Sequence, residues 1–391
     1  MNKKLRLLAL TLGIALTCCC CNNTASDDDK QPSVPNNESN VNTQNENQSK
    51  LDALRPTAYS SVDDLVLEPG SCISIIGRYD EGSYWEEVEK GAKQAIEDIN
   101  TALGYKGDDK VKLSFSSPDV CDDVDEQINI LDEELARYPI AIGIAAIDTT
   151  ACAVQFDLAA ENSIPIITFD SGSDYQNITA HISTDNIEAS ETAATQLCTL
   201  MGGTGEVAVF VQDSLSMTAK DREQAFIDKL KADYPDISVV DIYHLDELED
   251  MAKQIAEEKN ASLEEGAEEI DPSTFTQEDI IQYILEKNPN LSAVYTTNLD
   301  VTQLVAKVLT SLERDDLYFV AFDGGEEQLA LLENEVVDGL IVQNPYAMGY
   351  ATVVAAARTV LDLGNEAVID SGYTWVTKAN MADAEIAKML Y

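Results

Sequence analysis

The sequence predicts an α/β protein built from two doubly wound parallel-sheet units. Three observations carry this. Between Leu291 and Pro345, three short apolar runs alternate with helix-like segments. The runs are Ala293-Val294-Tyr295, Phe319-Val320-Ala321-Phe322 and Leu340-Ile341-Val342, and the segments are Val301–Leu312 and Glu326–Glu335. This is the rhythm of parallel strands with crossover helices. The same rhythm fills the earlier part of the chain, and 391 residues suffice for two domains of ordinary size. Each of the three runs leads to a side chain that hydrogen-bonds polar groups: Asn298, Asp323 and Gln343. In open α/β sheets ligands sit beyond the carboxyl ends of the strands. The three side chains therefore point to one site lined with donors and acceptors.

The chain opens with Lys3, Lys4 and Arg6, then the apolar run Leu7–Leu16, Thr17 and four cysteines, Cys18–Cys21. A basic start and an apolar run of about ten residues make a secretory signal over 1–21, too short to span a membrane. Cysteine directly after such a run resembles the lipobox of bacterial lipoproteins, in which the cysteine is diacylated. Ala15-Leu16-Thr17-Cys18 and Leu16-Thr17-Cys18-Cys19 each meet part of that pattern, so the attachment residue is Cys18 or Cys19. Two acyl chains are enough for stable anchoring. An ordinary cleaved signal is the alternative. Residues 22–68 are rich in Asn, Gln, Ser, Asp and Glu, and read as a disordered polar tether. As a coil it would span roughly 35–40 Å.

Alternation then begins. Ile73–Ile76 reads as a strand, followed by loop Arg78–Ser83 and a helix with the stripe Trp85, Val88, Ala92, Ile96 and Ile99. Val111–Phe115, Ile140–Ala146 and Ile164–Phe169 read as strands. Gln127–Leu135 and Thr149–Glu161 read as the helices between them. A second unit starts with helix Asn186–Leu200, capped by Asp185 or Asn186. Strand Val207–Val211, helix Thr218–Asp233 and strand Ile237–Tyr243 follow. Asp246 to Pro272 breaks the rhythm with a dense acidic run and reads as a solvated helical insertion before helix Gln277–Lys287. Its carboxylates lack the spacing of a calcium loop. Helix Ala347–Leu363, run Tyr373–Thr377 and a short helix from Asp383 close the chain.

Composition narrows function. With 71 acidic and 25 basic residues, the formal charge is −46. Nucleic acid is excluded as a partner, because its phosphates need basic contacts. The folded body is likewise unsuited to an anionic membrane surface. Cys72, Cys121, Cys152 and Cys198 show no Cys-x-x-Cys spacing, hence no zinc or redox motif, and no metal or cofactor is expected. Catalysis has no visible carrier. His181 and His244 are the only histidines, neither has a nucleophile at motif spacing, and no phosphate loop occurs.

Several short pieces, weak singly, follow one another in a specific order. They are Tyr84-Trp85 with Lys90-Gly91-Ala92, Ile164-Pro165-Ile166-Ile167 with Phe169-Asp170, and Ser183-Thr184-Asp185-Asn186. Asp221-Arg222-Glu223 with Phe226, Pro289 before the Asn298 strand, and Phe322-Asp323-Gly324 come next, then Gln343-Asn344-Pro345-Tyr346 with Met348-Gly349. In this order, over about residues 70–391, the chain resembles the type I periplasmic sugar-binding proteins, the ribose/galactose class of ABC-transporter receptors. The resemblance implies two doubly wound lobes joined by a three-segment hinge near 181–185, 343–346 and 370–374. The N-terminal lobe would hold 69–183 and 344–372, the C-terminal lobe 184–343 and 373–391. It implies a non-enzymatic monomer that closes on a sugar or polyol and then docks on a membrane permease.

The resemblance makes Tyr84 and Trp85 stacking aromatics and makes Asp170, Arg222, Asn298, Asp323 and Gln343 a polar ring. A sugar needs both: planar polar groups for its edge, rings for its C–H faces. Each residue also has a plain structural role open to it. Asp323 or Asn298 could cap a helix, Asp170 could serve a turn with Ser171 and Gly172, Arg222 could pair with Asp221 or Glu223, and Trp85 could be core. The pattern departs from ribose-type receptors at Ser171, where they carry arginine, and at Gly82, where they carry asparagine. Arg78 either recognises an acidic group such as a uronate or makes a salt bridge. A sensor partner, histidine kinase or chemoreceptor, and a nucleoside or small signalling ligand are the alternative readings.

Overall fold

A computed structural model of the chain describes residues 47–263 and 268–391. The secretory segment and Cys18 or Cys19 lie outside the described residues. Two six-stranded sheets organise the rest. The first contains β1 (Cys72–Ile76), β2 (Lys112–Ser116), β3 (Ala141–Ile144), β4 (Ile166–Phe169), β5 (His181–Ser183) and β11 (Val368–Asp370), ordered β11-β5-β4-β3-β1-β2. The second contains β6 (Gly205–Val211), β7 (Ile237–His244), β8 (Leu291–Thr296), β9 (Tyr318–Phe322), β10 (Gly339–Gln343) and β12 (Tyr373–Val376), ordered β12-β10-β9-β8-β6-β7. All pairings are parallel except β10 with β12. The core strands are almost wholly buried, which is why they read as continuous apolar runs rather than alternating ones.

The two sheets repeat one plan. β1–β5 and β6–β10 have the same strand order, so β4 corresponds to β9 and β5 to β10. The equivalence extends to single hydrogen bonds. Asp170 follows β4 and donates its N–H to Ile182 O at 2.8 Å; Asp323 follows β9 and donates to Ile341 O at 2.8 Å. The chain passes between the sheets after β5, after β10, and between β11 and β12.

The first core is dominated by helix Ser83–Leu103 against helix Pro345–Val360. Glycine makes this contact close. A Cβ on Gly91 would lie 1.9 Å from Tyr346 O, and one on Gly349 would lie 1.9 Å from Val88 O. The second sheet is covered on one face by helices Asn186–Met201 and Met217–Asp233. Its other face carries Leu248–Asn260, Gln277–Lys287 and Leu299–Ser311.

Two expectations are corrected. The tether cannot extend to residue 68, because Leu51, Leu54, Tyr59, Leu65 and Leu67 are buried in the first core. The Asn344 amide also donates to Lys50 O at 2.8 Å, tying this segment to the second crossing. A few well-spaced apolar residues dock a stretch that is polar on average. The acidic run is likewise not wholly solvated. Helix Leu248–Asn260 buries Ala252, Ile255 and Ala256, a face at i, i+3 and i+4. Cys72, Cys121, Cys152 and Cys198 are free thiols, with Cys152 and Cys198 buried.

Candidate ligand-binding cleft

The carboxyl ends of β1, β4, β6, β8, β9 and β10 face one another across the gap between the lobes. They surround a cavity of about 140 Å³. All eight residues predicted for the site, Arg78, Tyr84, Trp85, Asp170, Arg222, Asn298, Asp323 and Gln343, line it.

From the C-terminal lobe a chain of hydrogen bonds fixes three of them. Buried Arg222 projects from helix Met217–Asp233. Its Nε donates to Asn186 Oδ1 at 2.7 Å, Nη1 to Thr297 O at 2.7 Å and Nη2 to Gln343 Oε1 at 2.9 Å. Its guanidinium lies 4.3 Å from the Phe322 ring centroid, a cation–π contact. Thr184 Oγ1 also donates to Gln343 Oε1, which leaves Gln343 Nε2 to donate to Asp323 Oδ1 at 2.6 Å. Asp323 Oδ2 accepts from Leu299 N at 2.9 Å, so the carboxylate meets the N-terminus of helix Leu299–Ser311. Burial raises the Asp323 pKa, while Arg222 and the Gln343 hydrogen bond oppose the rise. Arg222 makes no pair with Asp221 or Glu223; Glu223 is held by His244 at 2.7 Å.

From the N-terminal lobe, the Tyr84 hydroxyl donates to Asp170 Oδ1 at 2.6 Å. Burial, and then the adjacent Asp170 charge, raise the Tyr84 pKa well above the usual value, so it stays protonated. Tyr84 meets Trp85 edge-on at 5.1 Å, and Trp85 in turn meets Phe169 at 6.4 Å. Trp85 is thus both core wall and cleft wall. Asp170 and Asp323, equivalent in the two lobes, share left-handed backbone, at φ 55° and 75°. Left-handed backbone is uncommon outside glycine and is tolerated best by Asn and Asp. The strain turns both carboxylates out of their strands toward the gap.

Two roles are narrower than the sequence suggests. Asn298 Oδ1 accepts from Val301 N at 3.0 Å, so half of its amide caps a helix while the residue lines the cleft. Arg78 Nε donates to Asp122 Oδ1 at 2.7 Å, and Nη2 reaches Asp213 Oδ2 at 3.2 Å in the opposite lobe. Burial works against its charge, but Asp122, Asp213 and Asp170 more than offset this and raise its pKa. With two carboxylates on it, Arg78 has no charge left to satisfy an acidic ligand. These ion pairs are those of the salt-bridge reading, and Arg78 lines the cavity while making them.

Further contacts join the lobes. Met217 N donates to Ser171 Oγ at 3.2 Å, and Cys121 Sγ lies 3.9 Å from Asp300 Oδ2. Burial, then Asp122 and Asp323, push the Asp300 carboxyl up to about 6. Asp122, Gln212 and Asp300 also line the cavity, Asp213 pairs with Arg78 across the lobes, and sequence reasoning missed all four. Gln212 follows β6 directly, so the strand-end rule that found Asn298 and Asp323 would have found it too. Asp213 follows β6 at the same remove as Asn298 follows β8, so the rule reaches it as well, whereas Asp122 sits in a loop and Asp300 on a helix start with no pattern of their own.

Comparison with known proteins agrees with the fold. Residues 73–365 match the periplasmic binding protein domain family. A carbohydrate transporter solute-binding protein from Agrobacterium radiobacter, solved in complex with D-arabinose, is 28% identical with a TM-score of 0.67. The match covers 82% of this chain and 99% of that one. An ABC transporter solute-binding protein from Agrobacterium vitis, bound with α-D-tagatopyranose, is 25% identical with the same TM-score, over 82% of this chain and 99% of that one. A glucose–galactose binding protein from Geobacillus stearothermophilus, at 22% identity and a TM-score of 0.66, covers 80% of this chain and 99% of its own, and shares the fold.

Proposed function

Because the chain belongs to the periplasmic binding protein family, a family of extracytoplasmic binding proteins rather than enzymes, we propose that it captures a neutral monosaccharide or polyol between its lobes. It then delivers that ligand to an ABC importer. The observation that carries this is the convergence of Asp170 and Asp323, from opposite lobes, on one cavity walled by Tyr84 and Trp85. Sugar hydroxyls donate to the carboxylates, and the Asn298 amide supplies a donor in return. The aromatic rings cover C–H faces. The cavity of about 140 Å³ has room for on the order of ten water-sized atoms, the scale of one sugar ring.

Carboxylates outnumber cations in the cleft, and both arginines are engaged by the protein itself. Hydroxyl donors are therefore favoured over anionic sugars. Diacylation at Cys18 or Cys19 would hold the receptor at the membrane beside its permease. Calorimetry with pentoses, hexoses, their uronates and polyols tests the reading. Saturable binding of a neutral member is expected; folded protein that binds none of them refutes it. Fatty-acid labelling lost in Cys18→Ala or Cys19→Ala identifies the anchor.

A further inference from the structure

We propose that Tyr391 backs the wall of the ligand cleft, behind Tyr84 and the Asp323 strand end, and is a positioning determinant of which sugar the cleft accepts. This inference rests on the receptor reading above and extends it to a residue with no local sequence signal. The segment that carries Tyr391 belongs to the C-terminal lobe, where Met381, Ile386 and Leu390 pack against the core. Yet the Tyr391 ring reaches across to the N-terminal lobe. It meets the Tyr84 ring edge-on, with centroids 5.9 Å apart and planes at 69°. Its hydroxyl oxygen accepts the Gly324 N–H at 3.3 Å, one residue beyond Asp323. The phenol therefore stands between the aromatic that serves Asp170 and the strand end that presents Asp323.

This position has a chemical consequence. The oxygen is used as an acceptor, and among the described residues no acceptor takes its proton. Burial and then the Asp323 charge push its pKa well above the usual value, so the O–H keeps its proton. The cavity lining includes Tyr84 and Asp323 but not Tyr391 itself, so the ring acts through its neighbours, fixing the Tyr84 ring and the backbone next to Asp323. The ring is fixed on one lobe and touches the other, so it shapes the cavity only when the lobes are together.

The test compares the wild type with Tyr391→Phe, Tyr391→Ala and Lys388→Ala. The lysine is on the same segment but lines the crevice beside Lys50 and Tyr346 instead. Dissociation constants for a pentose, a hexose and a disaccharide are measured by calorimetry, with thermal melts as a fold check. Tyr391→Phe, which keeps the ring, is expected to weaken the best ligand about three- to tenfold. Tyr391→Ala should weaken it further and move the ranking toward larger sugars, and Lys388→Ala should change neither. Unchanged affinities and ranking in both tyrosine variants overturn the inference while leaving the receptor reading intact. An equal effect of Lys388→Ala also overturns it, because docking of the segment would then be responsible. A wild type that binds no sugar overturns the receptor reading and this inference together. Should the alanine variant not fold, the phenylalanine variant decides.

Discussion

Asp323→Asn isolates what the strand-end carboxylate contributes. Asp323 receives two donors, Gln343 Nε2 at 2.6 Å and Leu299 N at 2.9 Å. Asparagine keeps the shape and, unlike alanine, tolerates the backbone at φ 75°. Alanine there would add a strain of about 1–2 kcal/mol and confuse binding with folding. The asparagine oxygen satisfies one donor, and its NH₂ faces the other. Against that loss, burial already disfavours the charge, so neutralising the group returns part of the desolvation cost. The two effects oppose each other in folding, so the melting temperature should move little. They do not oppose each other in binding, where a ligand hydroxyl loses a charged acceptor. Such a hydrogen bond contributes about 1.5–3 kcal/mol, which corresponds to a roughly 10- to 150-fold rise in Kd. Calorimetry with the best neutral sugar reads this directly. An asparagine variant within twofold of the wild-type Kd would refute the argument that Asp323 faces the ligand as an ionised acceptor.

Three further outcomes follow from the same coordinates. Gly349→Ala should destabilise the N-terminal lobe by about 3 kcal/mol or more, because the new Cβ would meet the Val88 carbonyl, a backbone atom that cannot rotate away; a melt within a degree of wild type would contradict the packing. His244, hydrogen-bonded to Glu223, has its pKa raised to about 9. Its stabilisation is therefore full below about 6.5 and is lost as pH rises toward 9, and NMR titration should find it falling toward the ordinary value in Glu223→Gln. Asp300, raised to about 6 by burial and its acidic neighbours, destabilises the closed lobes when ionised. Asp300→Asn should then raise the melting temperature at pH 7.5 and leave it unchanged near pH 4; an equal gain at both values would remove the charge from the explanation.

The sequence by itself determined the strand–helix alternation, the two-lobe plan and the polar residues at the strand ends. It could do so because each rests on local pattern: buried parallel strands must be continuously apolar, and their carboxyl ends are where polar side chains become affordable. It did not reveal that residues 47–68 fold onto the first core, because five scattered apolar side chains vanish in an average over a polar segment. Nor could it say what each polar side chain does. Arg78 reads as either a ligand contact or a salt bridge until Asp122 and Asp213 are seen on it from two lobes, and Asn298 reads as either cap or site when it is placed for both. Tyr391 is separated from Tyr84 by most of the chain, and no periodicity links them. Only the closure of one lobe on the other decides such pairings, because electrostatics and ring packing act over a few ångströms of space and are blind to distance along the chain.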